Sequence, residues 1–250
     1  MHRFYVETPI GGVGEQIVLS REESAHASRV LRLRHGEEVR LLDGVNLWAA
    51  ELETVDDKET VARVTLLCDS PEAPSHAVLF QGLPKADKLE LIAQKGTELG
   101  MWELWPVEME RSVAKADKAD KSEKKRERLS RIALEAAKQS GRAHVPEIAP
   151  TTSFAKALAK LEDFDLVLIA WEEEHALPMS QAVKAHVTQH GVPEKVAIII
   201  GPEGGVSLQE WQQLHDRGAV SVTLGKRILR TETAPLAVSA AVLYELGEME

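Results

Sequence analysis

The sequence predicts an α/β protein in which a mainly parallel sheet with helices follows a small β-barrel. Residues 3–70 are strand-like and rich in turns, which favours the barrel. From residue 77 onward apolar strands alternate with helical segments, the order typical of a parallel sheet. A proline-containing segment, 70–75, separates the two patterns. We therefore expect two domains, 1–72 and 73–250.

The composition is that of an ordinary soluble protein. With 250 residues and 44% hydrophobic content, the chain can bury a substantial core. No apolar run approaches membrane-spanning length, and the start at Met1 lacks the apolar core of a signal peptide. The single Cys68 excludes an internal disulfide, so we expect a cytoplasmic location. The net charge of −10 means that a polyanionic partner would have to be recognised by local basic groups.

The first domain is expected to contain five strands and one helix. The strands are predicted over 4–6, 16–19, 38–42, 47–52 and 60–67. Ser20 and Glu23 form a capping-box pattern that opens the helix. Helical spacing would then bring His26, Arg29 and Arg32 near one another as a basic edge. The alternative is that these side chains only solvate a short helix.

The second domain is expected to begin with alternating strands and helices. Strands are predicted over 77–82, 104–107 and 164–171. One helix is predicted over 86–99 and is stopped by Gly100, and another carries an apolar stripe from Leu129 and ends at Gly141.

The stretch 196–246 contains two loops that each follow a strand and lead into a helix. Strand 196–200 is followed by the loop Gly201–Gly205 and by a helix over 208–217, for which Ser207 and Glu210 form a capping box. Strand 220–224 is followed by a loop over 225–233 and an apolar helix over 234–246. Two loops at the carboxyl ends of parallel strands are where an open α/β sheet holds a ligand.

The residues of the first loop narrow the kind of ligand. Gly204 and Gly205 let a flat or bulky group approach the backbone, whereas Glu203 adds a negative charge that does not suit a polyphosphate. Neither a phosphate-loop pattern nor a complete dinucleotide fingerprint occurs, since Ile17 stands where the third glycine after Gly12 and Gly14 would be. A plain strand-to-helix turn is the alternative.

The two loop motifs, IGPEGG (200–205) and LGKRILRTETA (224–234), closely resemble those of the RsmE family of bacterial 16S ribosomal RNA (uracil-N3)-methyltransferases, in the SPOUT superfamily. Further similarity lies in HASRVLR (26–32), QKGTELG (94–100), ERS (110–112) and QSGRAHVPEI (139–148). The resemblance implies a SPOUT-type parallel sheet with a carboxyl-terminal trefoil knot, an amino-terminal PUA-like RNA-binding barrel and a homodimer. It also implies that S-adenosylmethionine is the cofactor and that a specific uridine of 16S rRNA, uridine-1498 by resemblance, is methylated.

Site residues follow from the loops and the resemblance together. The expected cofactor-binding set is Trp171, Ile200, Gly201, Glu203, Gly204, Gly205, Leu224, Gly225, Ile228, Leu229, Thr231 and Ala234. The segment after Trp171, Glu172–Glu174, borders the same pocket by resemblance. The expected RNA-binding set is His26, Arg29, Arg32, Arg111 and Arg142.

Methyl transfer to N3 of uracil needs positioning and the loss of one proton from a weakly acidic imide. Arg230 is placed to stabilise the developing anion, and Glu232 is the nearest candidate base. A structural pairing of the two across a subunit interface is the alternative.

Other interpretations stay open. The chain could be a SPOUT enzyme that methylates a ribose 2′-hydroxyl, or a PUA-like RNA-binding or assembly protein without catalysis. The charged run 115–131 is either a solvated segment or an arm that contacts phosphates. His186 and His190 lack a third ligand, so no metal is expected. Because the chain is acidic, we expect the assembled small ribosomal subunit, rather than a short RNA, as substrate.

Overall fold

A computed structural model describes residues 1–85, 87–114, 119–171, 173 and 177–249. The contacts divide the chain into two compact units. The first contains Met1–Glu72 and Leu134–Val145, and the second contains Ala73–Ala133 and Pro146–Glu250. The segment 134–145 therefore packs within the first unit although it lies in the middle of the chain. In the part of the chain that the structure describes, none of the helices is both long and apolar enough to cross a bilayer.

The first unit is built on a curled five-stranded sheet. Its strands are β1 (Arg3–Tyr5), β2 (Gln16–Val18), β3 (Glu38–Leu42), β4 (Leu47–Thr54) and β5 (Val61–Leu67), in the order β1-β3-β4-β5-β2. β1 runs parallel to β3, and the other neighbours are antiparallel. Register shifts between Ala49 and Ala50 and between Leu52 and Thr54 mark irregularities that bend β4. Phe4, Leu41 and Leu52 are fully buried in the core of this unit.

The helix of the first unit is shorter than the sequence predicts. α1 (Arg21–Ala25) begins with the hydroxyl of Ser20 accepting a hydrogen bond from the Glu23 N–H, as expected. It continues as a π-helical turn, His26–Val30, and the chain then leaves the helix with Arg32 at a φ of 56°. The prediction that Arg32 lies on the helix with His26 and Arg29 is therefore wrong, because a left-handed residue cannot continue a right-handed helix.

The second unit is a seven-stranded parallel sheet with helices. Its strands are β6 (His76–Gly82), β7 (Glu103–Glu108), β8 (Glu147–Ile148), β9 (Thr152–Ser153), β10 (Leu166–Ala170), β11 (Lys195–Ile200) and β12 (Val220–Val222). The order is β12-β10-β11-β6-β7-β8, with β9 also paired to β7. The helices are α2 (Lys88–Glu98), α3 (Ala119–Ser140), α4 (Phe154–Lys160), α5 (Met179–His190), α6 (Leu208–His215) and α7 (Ala234–Glu245), with a 3-10 turn at Leu161–Asp163. The end of α3 contributes to the first unit.

The central strands are buried on both faces. Residues 196–200 of β11 and 77–82 of β6 are all buried, which explains why these strands are mostly continuous runs of apolar residues. The last helix, α7, packs against α2, α5, β6 and β11. Because all strands of this sheet are parallel, the loops that follow β6, β10, β11 and β12 leave from the same edge.

Candidate functional site

The loop after β11 folds back on itself in a way that requires glycine at its first position. A Cβ on Gly201 would lie 2.8 Å from the carbonyl carbon of Gly205 and 2.9 Å from the amide nitrogen of Val206. The Gly205 N–H donates to the Pro202 carbonyl over 2.9 Å, and Gly205 has a φ of 72°. Pro202 in turn lies against Gly82 at the end of β6. These close approaches fix the path of the loop.

The helix that follows this loop begins as the sequence predicts. The hydroxyl of Ser207 accepts a hydrogen bond from the Glu210 N–H, and the Glu210 carboxylate accepts one from the Ser207 N–H. Glu210 also accepts a hydrogen bond from the Glu110 N–H over 2.7 Å. The capping box is therefore confirmed, and it also ties the 110–112 segment to α6.

Gly204 does not line the cavity described below. A Cβ at this position would lie 2.9 Å from the Cβ and 3.1 Å from the carbonyl oxygen of Arg111. The Gly204 carbonyl accepts a hydrogen bond from Nη1 of Arg111 over 3.1 Å. Gly204 therefore permits the loop to pack on Arg111, rather than opening space for a ligand as the sequence suggested.

The second loop, after β12, is bonded directly to the first. Oγ1 of buried Thr231 donates to the Gly201 carbonyl over 2.8 Å and accepts from Nε2 of Gln81 over 3.0 Å. Gln81 is fully buried at the end of β6, and its Nε2 also donates to the Gly82 carbonyl. Sequence reasoning missed Gln81, although a lone amide in an apolar strand was a usable signal.

The two loops enclose a cavity of about 480 Å³, within the range of small-molecule sites. Twelve of its lining residues were expected from the sequence: Trp171, Ile200, Gly201, Glu203, Gly205, Leu224, Gly225, Ile228, Leu229, Arg230, Thr231 and Ala234. Eight were not: Lys88, Ala170, Pro202, Val206, Val222, Thr223, Lys226 and Arg227. Glu172 and Glu174, which the sequence placed at the same edge, lie outside the described residues.

A charged cluster lies on one side of this cavity. Nζ of Lys88 is 2.9 Å from Oε1 of Glu203 and 3.0 Å from Oε2 of Glu232. The second contact is an ion pair without hydrogen-bond geometry, since among the described residues Oε2 of Glu232 has no directed donor. Oε1 of Glu203 also accepts the Lys85 N–H over 3.0 Å. Lys88 thus joins both loops.

The cluster keeps both carboxyl groups ionised. Burial would raise the pKa of Glu203, but hydrogen bonds from Lys88 and the Lys85 N–H outweigh it and lower this pKa. For Glu232, burial is likewise outweighed, by the residue's own backbone N–H and by Lys88, so its pKa is also lowered. The pKa of Lys88 is raised by its hydrogen bond to Glu203 and by the neighbouring Glu232 carboxylate.

Arg230 and Glu232, the expected catalytic pair, differ in their surroundings. The side chain of Arg230 is 82% exposed and lines the cavity, with Nη1 4.0 Å from Oε1 of Glu232. Glu232 is 16% exposed and is held by Lys88. Arg230 is therefore free to meet an incoming negative charge, whereas a lowered pKa makes Glu232 a weak base.

Aromatic side chains support the edge of the cavity after β10. The rings of Trp171 and Trp211 are stacked with centroids 4.6 Å apart. The His215 ring also stacks on Trp211, with centroids 5.3 Å apart. Nε1 of Trp211 donates to Oγ of Ser221 on β12 over 2.7 Å. Trp211 therefore links α6 to both the cavity edge and the neighbouring strand.

The five residues expected to bind RNA have different environments. In the first unit Arg29 and Arg32 are exposed, Arg29 forms an ion pair with Asp57, and His26 is half-buried beside Glu23. In the second unit Arg111 is exposed beside the first loop. Arg142, in contrast, is 5% exposed and bonded to Glu72, so its guanidinium is not presented to a ligand.

Two other segments were singled out in the sequence. In the charged run, Arg126 pairs with Glu123 and Arg128 with Glu90, while residues 115–118 lie outside the described residues. His186 and His190 have ring centroids 4.9 Å apart. Within the described ranges no group of three or more His, Cys, Asp or Glu side chains could hold a metal ion.

Comparison with known proteins gives consistent results along the whole chain. An RNA methyltransferase domain model matches residues 71–243, and an RNA methyltransferase PUA domain model matches residues 19–65. Ribosomal RNA small subunit methyltransferase E of Bacillus subtilis is 37% identical over 98% of this chain and 97% of its own length.

Solved structures show the same relationship. The ribosomal RNA small subunit methyltransferase E of Neisseria gonorrhoeae, bound to S-adenosylmethionine, has a TM-score of 0.83 and 31% identity, covering 98% of this chain and 97% of that one. A Legionella pneumophila structure with its bound cofactor S-adenosylmethionine has a TM-score of 0.81 and 29% identity, covering 97% and 96% of the two chains. This chain belongs to the ribosomal RNA small subunit methyltransferase E family.

Proposed function

We propose that this protein transfers a methyl group from S-adenosylmethionine to N3 of a specific uridine of 16S rRNA, uridine-1498 by resemblance. The observation that carries the proposal is the cavity formed by the 201–205 and 224–234 loops, in a chain of this family. Similar proteins from Neisseria gonorrhoeae and Legionella pneumophila contain S-adenosylmethionine.

The residues of the cavity fit this cofactor. Ile200, Leu224 and Leu229 supply apolar wall, and Gly201, Gly205 and Gly225 line the cavity without a side chain. Glu203 offers a negative charge suited to a cationic ligand, and residues 201–205 offer no basic group for a polyphosphate. When bound, the cofactor supplies an activated methyl group on a sulfonium.

The chain's own residues then have three tasks. The joined loops hold the donor, so that the geometry of the displacement is set in advance. Arg230 stabilises the negative charge that develops on the uracil imide. Glu232 is the proposed acceptor of the N3 proton, and because its lowered pKa makes it a weak base, we expect the larger effect on the rate from Arg230.

RNA recognition is proposed to begin with the first unit. Its PUA domain carries exposed Arg29 and Arg32, and the second unit adds exposed Arg111 near the cavity. A net charge of −10 supports recognition of a folded target in the assembled small subunit, which would be met in the cytoplasm. Buried Arg142 is assigned a structural task instead.

Three features of architecture belong to the same proposal. The first unit closes as a PUA-like barrel, and residues 73–250 form a SPOUT domain whose carboxyl-terminal segment is knotted. The return of α7 onto β6 and β11, after β12 at the sheet edge, supports the knot. The active form is a homodimer, supported by the exposed strip of α7 that includes Ala237 and Tyr244.

The proposal is tested by incubating purified protein and S-adenosylmethionine with small subunits from cells that lack the gene. Mass spectrometry of the rRNA should show one new methyl group on a uracil base. Arg230→Met should lower kcat about a hundredfold, because the charge that stabilises the imide anion is lost. Its affinity for the cofactor, measured by calorimetry, should stay close to that of the parent.

A methyl group on a ribose 2′-hydroxyl would identify the other SPOUT chemistry. Binding of small subunits without any methylation would support the assembly protein instead. An Arg230→Met variant with parental kcat would remove this residue from the catalytic site.

A further inference from the structure

Among the described residues that line the cavity, Lys88 is the one that comes from α2, and no sequence motif indicated it. Its single ammonium lies 2.9 Å from a carboxylate oxygen of Glu203 in the first loop and 3.0 Å from one of Glu232 in the second. The three side chains are all partly buried, with exposed fractions of 27%, 24% and 16%. One cation thus pairs with a carboxylate from each of the two loops.

The position of Lys88 is unfavourable for the helix that carries it. Lys88 is the first residue of α2, directly after Asp87 at the N-cap. The amino end of a helix has a partial positive charge, so a lysine there is destabilising unless anions lie nearby. Asp87 and Glu90 are acidic residues of this end of α2, but the Lys88 ammonium pairs with Glu203 and Glu232 of the loops. Its contacts therefore link α2 to the two loops.

We propose that Lys88 is a positioning residue that sets the distance between the 201–205 and 224–234 loops and so shapes the cofactor cavity. This inference rests on the proposed function. Without the ammonium, the carboxylates of Glu203 and Glu232 would repel each other across the cavity rim. The inner bond between Thr231 and the Gly201 carbonyl does not involve Lys88, so the fold should persist while the rim opens.

A positioning role and a purely electrostatic role for Lys88 predict opposite changes in cofactor affinity when Lys88 is replaced. S-adenosylmethionine carries a sulfonium cation, so the loss of a nearby positive charge would by itself tighten binding. If Lys88 holds the loops in register, its loss should weaken binding instead. The sign of the change in affinity therefore separates the two roles.

The test is calorimetric titration of S-adenosylmethionine into the full-length protein and its Lys88→Met variant. We expect the Kd of Lys88→Met to rise about tenfold or more, since misplacement of site residues by small distances has effects of this size. Lys88→Arg, which retains the charge, should recover most of the affinity. The matched control is Lys85→Met, because the hydrogen bond from Lys85 to Glu203 is donated by the backbone N–H, which this substitution keeps.

A second readout is the pH dependence of cofactor binding. In the parent, the lowered pKa values of Glu203 and Glu232 keep both ionised, and binding should fall only as the pH drops through those values. Lys88 faces both carboxylates, Arg230 faces Glu232 and the Lys85 N–H faces Glu203. Removal of Lys88 takes away one of the groups that oppose the effect of burial on both carboxyl pKa values, so the loss of binding in Lys88→Met should move to higher pH.

Rescue gives the final discrimination. If repulsion between the carboxylates opens the rim, Lys88→Met combined with Glu232→Gln should bind better than Lys88→Met alone, because this change keeps the Glu203 charge that suits the cationic cofactor. Parental or tighter binding by Lys88→Met, or no rescue, would overturn the inference. If Lys88→Met does not fold, Lys88→Gln is tested in its place under the same criteria. If neither variant folds, Lys88 is required for the stability of the fold, and the inference is overturned as well. Failure of the parent to bind the cofactor would instead overturn the proposed function.

Discussion

Arg142 illustrates how burial changes the meaning of a basic residue. Its guanidinium bonds to Oε2 of Glu72 through Nε over 3.0 Å and through Nη2 over 2.6 Å. Oε1 of Glu72 accepts the N–H groups of Ala143 and His144. The carboxylate therefore holds the segment after α3 within the first unit, and the ion pair is a structural feature.

Arg142→Met should accordingly destabilise the protein. Removing one partner of a buried pair leaves a buried charge uncompensated, so we expect the free energy of unfolding to fall by about 3 kcal/mol. Urea denaturation measures this change, and Arg29→Met, at an exposed ion pair, is the control with little expected effect. Unchanged stability together with weaker RNA binding would restore Arg142 to the RNA surface.

At the same scale, the sequence predicted most of the cavity lining but not what holds it together. Motif residues such as Gly201 and Thr231 could be placed because they follow strand ends. Lys88 and Gln81 could not, because their partners are 115 and 150 residues away in the chain. Such contacts depend on the order of the strands in the sheet, which a short stretch of sequence does not determine.

At the scale of elements, Trp211 of α6 connects the first loop's helix with the far edge of the cavity. Its ring stacks on Trp171, which lines the cavity, and its N–H is fixed by Ser221. Two stacked indoles beside a ligand site should report binding through their fluorescence. The contact also suggests that α6 maintains the orientation of Trp171.

Trp211→Leu should therefore weaken cofactor binding without abolishing it. Loss of the stacked face and of the bond to Ser221 frees the Trp171 ring, and a stacked pair contributes about 1 kcal/mol beyond its buried area. Titration of S-adenosylmethionine with detection of tryptophan fluorescence gives the Kd, and Trp102→Leu is the control at a tryptophan that stacks on His76 rather than on a cavity-lining residue. An identical Kd for Trp211→Leu would show that the stack has no bearing on the site.

Long apolar strands and capped helices were predicted within a few residues, whereas short elements were missed. β11 begins one residue before its predicted start, and β3 matches its prediction. The two-residue strands β8 and β9 were not predicted, because two residues carry no periodicity. The seven-residue helix α4 was not predicted either. The π-helical turn after α1 was not predicted. The end of the helix was not predicted either, because the residue with positive φ is Arg32 rather than the glycine or asparagine that usually marks such a position.

At the scale of the whole molecule, the last helix is apolar on every side but is covered on only part of its surface. Val238, Val242 and Leu243 are buried, whereas Ala237 and Tyr244 are exposed and Ala241 is half-buried. The uncovered positions recur at helical spacing and form one strip. Small side chains in such a strip permit a second helix to approach closely, which favours pairing of two copies.

Ala241→Glu should separate the proposed dimer and reduce methylation together. A carboxylate buried between two α7 helices would be desolvated without a partner, which is strongly unfavourable. The second loop leads directly into α7, so loss of pairing should also disturb the cofactor site. Sedimentation velocity at micromolar concentration, combined with the methylation assay, measures both effects. Leu208→Glu, which adds a carboxylate at the exposed start of α6, should leave assembly unchanged. A parent protein that is active as a monomer would contradict the prediction.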